Sequence, residues 1–188
     1  MPAETGHIKE MVALAAGLEA GGFQPVLVGG MALVVLGSRR VTRDFDFLVS
    51  RPAPYSKSLV DIMYRHKLEL VTKFSPQGEA IRTVDNPRVA SLKIDGERPQ
   101  SLSFFVWKTG LRVDLLLDFP LSAQNLAGLA TKVSFPSGHV RIAAPPDLLK
   151  LKEIAHANRK SAADAQDLEF LRNFIKKGAK SRPTPAGR

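Results

Sequence analysis

Apolar residues recur at helical spacing near both ends of the chain. Residues 8–20 carry an apolar stripe with a period close to 3.6, which predicts a helix that ends at Gly21. Proline is tolerated in the first turn of a helix, so Pro145 is expected to open a helix that runs to about residue 157. A last helix is predicted from Ser161 to about residue 175. Further helices are predicted over residues 31–36, 54–67 and 123–130.

Short apolar or alternating segments between these helices are typical of strands. Residues 44–48 alternate strictly between polar and apolar, so Phe45 and Phe47 are expected to face the core. Asp95 and Gly96 form a hairpin-type turn signal. The other predicted strands cover residues 25–28, 89–94, 102–107, 111–119, 132–135 and 140–143. Helices at both ends around a mixed central β-sheet predict an α/β (α+β) domain flanked by helices.

The length and the distribution of charge refine this picture. The 188 residues suit one domain, predicted over residues 1–175, and the formal net charge is +9. About five of those charges lie in residues 176–188, a segment without acidic residues that is rich in small residues and proline. This segment is predicted to be a basic disordered tail, which serves either solubility or RNA binding.

Several classes of protein are excluded or disfavoured by composition. The chain has no cysteine, so it has no disulfide framework, thiolate zinc site or catalytic thiol. Its longest apolar stretch, residues 26–37, is only about half of a membrane span. The N-terminal residues lack the pattern of a secretory signal. We therefore expect a cytoplasmic protein with no membrane partner.

Two acids in the predicted strand over residues 44–48 are the first candidates for chemistry. Asp44 and Asp46 are two residues apart, which places both carboxylates on one face of a strand with their Cα atoms roughly 6.5–7 Å apart. Two crowded carboxylates repel each other, and a hard divalent cation such as Mg²⁺ relieves that repulsion. The alternative is a solvated face of an ordinary strand.

Two other features strengthen the first hypothesis. Gly29 and Gly30 join a predicted strand to a helix, a turn that allows the backbone to approach a phosphate closely, although it is also an ordinary tight turn. Asp114 lies within an apolar strand and therefore needs a partner, most simply Arg112 on the same face. Three arginines just ahead of the acidic strand are either loop charges or well placed to meet phosphates: Arg39, Arg40 and Arg43.

The two C-terminal helices carry a further group of charged residues. Lys152 and Arg159 are seven residues apart and share one helix face, which offers either two cations to a triphosphate or a solvated basic stripe. Asp164 lies three residues after Ser161, so it is either a functional acid or part of a capping box. Asp167 follows about one turn later and is expected to pair with Lys152 or Arg159 across the two helices.

Together these motifs resemble the nucleotidyltransferase superfamily typified by DNA polymerase β, in which a Gly-Gly or Gly-Ser turn precedes a D-x-D strand and a third aspartate lies on a neighbouring strand. The string GGMALVVLGSRRVTRDFDFLV is most similar to a bacterial toxin-like branch related to abortive-infection nucleotidyltransferases. The string DLLKLKEIAHANRKSAADAQDLEFL resembles the lysine-helix pattern of that branch. The resemblance covers residues 24–50, 111–118 and 145–171.

The resemblance implies a nucleotidyltransferase fold and a metal-dependent enzyme that transfers a nucleoside monophosphate from an NTP to an acceptor hydroxyl and releases pyrophosphate. It implies two Mg²⁺ ions held by Asp44, Asp46 and Asp114, with Lys152 as a fourth catalytic residue. The nucleotide-binding residues that it implies are Gly29, Gly30, Arg43, Arg159, Asp164 and Asp167.

The acceptor and the base remain open at this point. The resemblance is compatible with RNA such as tRNA, a protein or a small molecule as the acceptor. It is also compatible with ATP-binding and with an antitoxin-like protein as a partner. The alternative function is a catalytically inactive module of the same fold that binds RNA or a protein partner.

Overall fold

The computed structural model describes residues 6–159 and 162–180, with the side chains of residues 158, 159, 179 and 180 outside that description. The helices within these residues are α1 (Gly6–Ala20), α2 (Gly29–Val35), α3 (Ser56–Arg65), α4 (Pro87–Glu97), α5 (Ala123–Leu129), α6 (Pro145–Arg159) and α7 (Ala162–Lys180). The strands are β1 (Val26–Val28), β2 (Phe45–Val49), β3 (Glu69–Phe74), β4 (Ala80–Val84), β5 (Ser101–Val106), β6 (Leu111–Leu117), β7 (Thr131–Phe135) and β8 (Gly138–Ile142). None of the described helices is long and apolar enough to cross a bilayer.

All eight strands join one mixed sheet in the order β4-β3-β5-β6-β2-β1-β8-β7. Two neighbouring pairs are parallel, β2 with β6 and β1 with β8, and the others are antiparallel. Antiparallel pairing of β1 with β2 reverses the chain after α2, which brings the Gly29 turn back beside the acidic strand. The predicted mixed α/β architecture is therefore confirmed.

The two faces of the sheet differ in what covers them. Alternate residues of β6 are buried, and Val113 and Leu115 pair with Phe45 and Phe47 of β2 in the core. The ring of His7 in α1 contacts Phe45, with 4.4 Å between the ring centroids, so α1 covers this apolar face. The polar side chains of β2 and β6 therefore point to the opposite face, where α2 and α6 pack.

Most predicted elements form within a few residues of the expected bounds. Two strands, β3 and β4, were not predicted, and together they form one edge of the sheet. Helix α7 continues to Lys180, so helical structure extends into the segment predicted as a basic tail. Residues 181–188 and Ser161 lie outside the described part of the chain.

The predicted strand over residues 89–94 is wrong, because this segment belongs to helix α4. The predicted hairpin turn at Asp95 and Gly96 is wrong for the same reason. The Asn86 side chain accepts hydrogen bonds from the backbone amides of Arg88 and Val89, and Pro87 lies in the first turn. These are standard start signals of a helix, and they outweigh the short apolar pattern that suggested a strand.

Candidate active site

A cavity of about 580 Å³ lies on the polar face of the sheet, between the central strands and helices α2, α6 and α7. Its charged end is lined by Gly29, Gly30, Arg40, Asp44, Asp46, Arg112, Asp114, Lys152 and Asp164. The cavity therefore gathers residues from distant parts of the sequence, including most of the predicted site residues. A ligand of nucleotide size fits such a volume.

Strand pairing brings the three candidate acids together. Strands β2 and β6 are parallel, and Asp46 lies directly opposite Asp114 in their register. Asp44 immediately precedes β2, two residues before Asp46 and on the same face. Parallel pairing therefore brings the two separate acidic motifs to the same wall of the cavity.

Arg112 lies between two of these acids. Its Nη2 donates a hydrogen bond to Asp44 Oδ2 at 2.9 Å, and its Nε lies 3.2 Å from Asp114 Oδ2. The expected pairing of Asp114 with Arg112 is present, but the second partner, Asp44, was not predicted. Asp46 has no ion-pair partner among the described residues.

The electrostatic environment of Asp46 differs from that of an ordinary surface carboxyl. Burial raises the pKa of Asp46 from 3.8 to about 6, with further contributions from the charges of Asp114 and Asp44. The Lys152 and Arg112 cations act in the opposite direction. At neutral pH, Asp46 is thus a largely ionised carboxylate whose charge is incompletely compensated.

The glycine turn lies against the acidic strand. Gly29 has φ +64°, and a Cβ atom built there would lie 2.0 Å from Asp46 Oδ2. A Cβ atom at Gly30 would lie 2.9 Å from Arg40 Cζ. The first glycine is therefore required by backbone conformation and by the close approach of Asp46, whereas the second makes room for a flexible side chain.

A buried network of charges connects α6 and α7 to this turn. Lys152 Nζ lies 2.7 Å from Asp167 Oδ2 and 3.3 Å from Asp164 Oδ1. Asp167 also accepts a hydrogen bond from Arg40 Nη1 at 2.5 Å. The predicted pairing of Asp167 with Lys152 is present, and the two acids hold both cations at the edge of the cavity.

One predicted nucleotide-binding residue, Arg43, does not line the cavity, and the side chain of another, Arg159, is outside the described part of the chain. Arg43 is exposed and absent from the cavity lining, where Arg40 and Thr42 are found. Arg159 ends α6, and its side chain lies outside the described residues. Arg40 is one of the three arginines before the acids, and spacing alone does not distinguish which of them turns inward.

The opposite end of the cavity is less charged and was not predicted. It is formed by Gln100 and Ser101 at the start of β5 and by Leu116, Phe119 and Pro120 at the end of β6. Ser103 lies opposite Asp114 in the pairing of β5 with β6 and therefore belongs to the charged end. The cavity thus combines a charged half with a half that suits a flat, partly apolar group.

Solved structures resemble this architecture. A crystal structure of an antigenic nucleotidyltransferase-like protein from Paracoccidioides brasiliensis matches with a TM-score of 0.52 and 16% identity, over 91% of this chain and 78% of the other. The fold is nucleotidyltransferase-like. JHP933 from Helicobacter pylori matches with a TM-score of 0.46 and 18% identity, over 88% of this chain and 64% of that one. No family model and no curated protein sequence matches the chain.

The nucleotidyltransferase-like fold raises the question of whether its acids suit a metal ion. In the described part of the chain, no three Asp, Glu or His side chains are assembled closely enough to hold a metal ion on their own. Mg²⁺ in nucleotide enzymes is usually held by one or two carboxylates together with phosphate oxygens, and does not need a complete protein cage. The carboxylate oxygens at this site are donors of the type that Mg²⁺ takes.

The raised pKa of Asp46 predicts how stability depends on pH. A carboxyl whose folded pKa exceeds its unfolded value of 3.8 stabilises the protein at low pH, and that contribution is lost as pH rises through about 6. Asp46→Asn removes the free-energy cost of ionising this carboxyl in the folded protein. We therefore expect it to raise the free energy of unfolding by about 3 kcal/mol at pH 8 and by only about 1 kcal/mol at pH 4.5. Urea denaturation at both pH values measures the difference.

Asp95→Asn is the matched control, because Asp95 is exposed on α4 away from the cavity. Its effect should stay within about 0.5 kcal/mol at either pH. A destabilised Asp46→Asn variant at pH 8 would show that the folded protein compensates this charge.

Proposed function

We propose that the protein is a metal-dependent nucleotidyltransferase that transfers a nucleoside monophosphate from an NTP to an acceptor hydroxyl. The observation that carries this proposal is the convergence of Asp44, Asp46 and Asp114 on one cavity wall beside the Gly29 turn. The nucleotidyltransferase-like fold supports the same class of reaction. Ion pairing with Arg112 accounts for Asp44 and Asp114, but a purely structural role does not explain Asp46, which has no ion-pair partner among the described residues.

In the proposed reaction, the acceptor hydroxyl oxygen attacks the α-phosphorus of the NTP. A new P–O bond forms, the bond from the α-phosphorus to the bridging oxygen breaks, and pyrophosphate leaves with that oxygen. Asp114 would accept the hydroxyl proton and then release it to solvent. Mg²⁺ at Asp46 would supply charge neutralisation for the triphosphate and lower the pKa of the acceptor hydroxyl.

Cations at the other side of the cavity would receive the leaving pyrophosphate. Lys152 is fixed by Asp164 and Asp167, and Arg40 is fixed by Asp167, so both are held in place before a ligand binds. Groups fixed in advance stabilise developing negative charge without reorganisation. Arg40 would therefore take the phosphate-binding role expected for Arg43, and the backbone of Gly29 and Gly30 would border the phosphates.

The uncharged half of the cavity would accept the nucleobase. Phe119 is 45% exposed and lines this half beside Leu116, with Gln100 and Ser101 as hydrogen-bonding groups nearby. Stacking of a base on an aromatic ring contributes about 1–3 kcal/mol. We therefore expect Phe119→Ala to weaken binding of a non-hydrolysable NTP about tenfold, measured by calorimetry.

Phe74→Ala is the control for that experiment. Phe74 has a similar exposure, 41%, but it ends strand β3 and is not part of the cavity lining. Its removal should leave the affinity unchanged. If both variants lose the same amount of affinity for the NTP analogue, Phe119 does not belong to the proposed base site.

The direct test is transfer of label. The purified protein is incubated with Mg²⁺ and each α-labelled NTP in turn, with RNA or protein from a bacterial extract as acceptor and Asp46→Asn alongside. Label on one acceptor class that depends on Asp46 supports the proposal and identifies base and acceptor together. Labelling that is equal in the two proteins contradicts it.

The toxin-like resemblance and the basic C-terminal residues favour RNA, such as tRNA, as the acceptor, and an antitoxin-like protein as a regulator. Binding of RNA through basic residues should weaken steeply as salt rises. The alternative, an inactive module that binds RNA or a protein, predicts no effect of nucleotide on stability. A rise in the unfolding midpoint with Mg²⁺ and NTP, but not with Mg²⁺ alone, would argue against that alternative.

A further inference from the structure

Arg112 is held at three points inside the cavity. Its Nη2 and Nε contact Asp44 and Asp114 at 2.9 and 3.2 Å, and its Nη1 donates to the carbonyl oxygen of Gly78 at 3.2 Å. Gly78 belongs to the loop between β3 and β4, so the third contact comes from outside the two acidic strands. Two hydrogen bonds and one ion pair therefore fix the guanidinium in position and orientation.

The position of Arg112 matters because it connects the two acids that flank Asp46. Asp44 and Asp114 reach the cavity from neighbouring strands, and a cation between them compensates both carboxylates at once. In a two-ion site, metal ions would supply the positive charge beside such carboxylates. Here a side chain of the protein already provides the bridging positive charge.

The ion pairs lead to the same conclusion. Arg112 already compensates Asp44 and Asp114, whereas Asp46 has no ion-pair partner among the described residues. A second divalent ion on Asp44 or Asp114 would lie against the Arg112 guanidinium, where like charges repel. Arg112 and a second ion therefore compete for the same carboxylates.

We propose that Arg112 takes the place of the second metal ion, so that the loaded site holds one divalent cation, at Asp46, together with the nucleotide. This inference rests on the proposed function, because it assumes that the cavity binds a metal–nucleotide complex. It replaces the two-ion arrangement expected from the resemblance. Arg112 is then a positioning residue, because its ion pairs keep the carboxylates of Asp44 and Asp114 away from the divalent cation at Asp46.

The test counts bound ions and does not depend on turnover. Mn²⁺ bound per chain is measured by electron paramagnetic resonance in the presence of the α,β-methylene analogue of each of the four NTPs in turn. We expect one Mn²⁺ for the wild type, two for Arg112→Met and one for Arg112→Lys, which keeps the positive charge. Arg88→Met, on exposed helix α4, is the matched control and should bind one.

The possible results separate the inference from the proposed function. Two Mn²⁺ ions in the wild type, or a single ion in folded Arg112→Met, overturns the role of Arg112 and leaves the enzyme proposal standing. No Mn²⁺ with any analogue overturns both. The wild-type count decides the inference even if Arg112→Met does not fold, and near-ultraviolet circular dichroism checks the fold of each variant.

Discussion

Replacing Asp46 with asparagine is expected to lower nucleotidyl transfer about a thousandfold or more while the protein stays folded. Asp46 is the carboxylate without an ion-pair partner among the described residues, and it lies between Gly29 and Asp114 on the cavity wall. An amide at this position is a weak, neutral ligand, so the proposed metal–triphosphate complex loses its principal anchor. Initial rates of transfer with the best labelled NTP, over a range of Mg²⁺ concentrations, measure the loss.

The same substitution is expected to have opposite effects on activity and on stability. Asp46→Asn is expected to be more stable than the wild type at pH 8, because the folded protein raises the pKa of this carboxyl to about 6. Loss of activity with a gain in stability cannot arise from partial unfolding. Asp95→Asn, at an exposed position of α4, should keep full activity, and a wild-type rate for Asp46→Asn would rule out the metal proposal.

The elements that carry the acids could be predicted from the sequence because the relevant signals are local. Strict alternation from Asp44 onward defines β2 and the shared face of its two acids, and the glycine pair defines the turn after β1. Helical spacing on α6 and α7 left Lys152 and Arg159 as partners for Asp167, and the pair with Lys152 is present. Each of these inferences requires only the residues within one or two elements.

The arrangement around the acids depends on strand register, which the sequence does not specify. Parallel pairing of β2 with β6 sets Asp46 opposite Asp114 and brings Arg112 within reach of Asp44, an acid 68 positions away in the chain. The contact from Gly78 depends on β3 and β4, which were not predicted. Arg112 could therefore be identified as a partner of Asp114 but not as a bridge between two acids.

Helix α4 shows a different cause of error. Its apolar residues are sparse, with Ala90 and Ile94 buried and Leu92 exposed, so the hydrophobic pattern is weak. The decisive signals lie just before it, in Asn86 and Pro87. Capping residues determine a short, poorly amphipathic helix more strongly than the β propensity of its interior residues.

Gly29 is the position where a single methyl group is expected to disturb both the fold and the site. Its φ of +64° disfavours any residue with a Cβ, and that Cβ would lie 2.0 Å from Asp46 Oδ2 and 2.8 Å from Asp46 Cβ. Since the Asp46 Cβ is anchored to β2, rotation of the Asp46 side chain alone cannot relieve the overlap. The turn, the strand or both must move.

Gly22→Ala isolates the conformational part of this effect. Gly22 also has positive φ, +83°, but nothing lies within 4 Å of a Cβ built there. We expect Gly22→Ala to cost about 1 kcal/mol of unfolding free energy and to leave nucleotide binding intact, whereas Gly29→Ala costs about 3 kcal/mol or more. Gly29→Ala should also lose Mn²⁺–nucleotide binding, because Asp46 is displaced. Equal stabilities for the two variants, with nucleotide binding retained in both, would show that the close approach of the Gly29 turn to Asp46 is not required for the site.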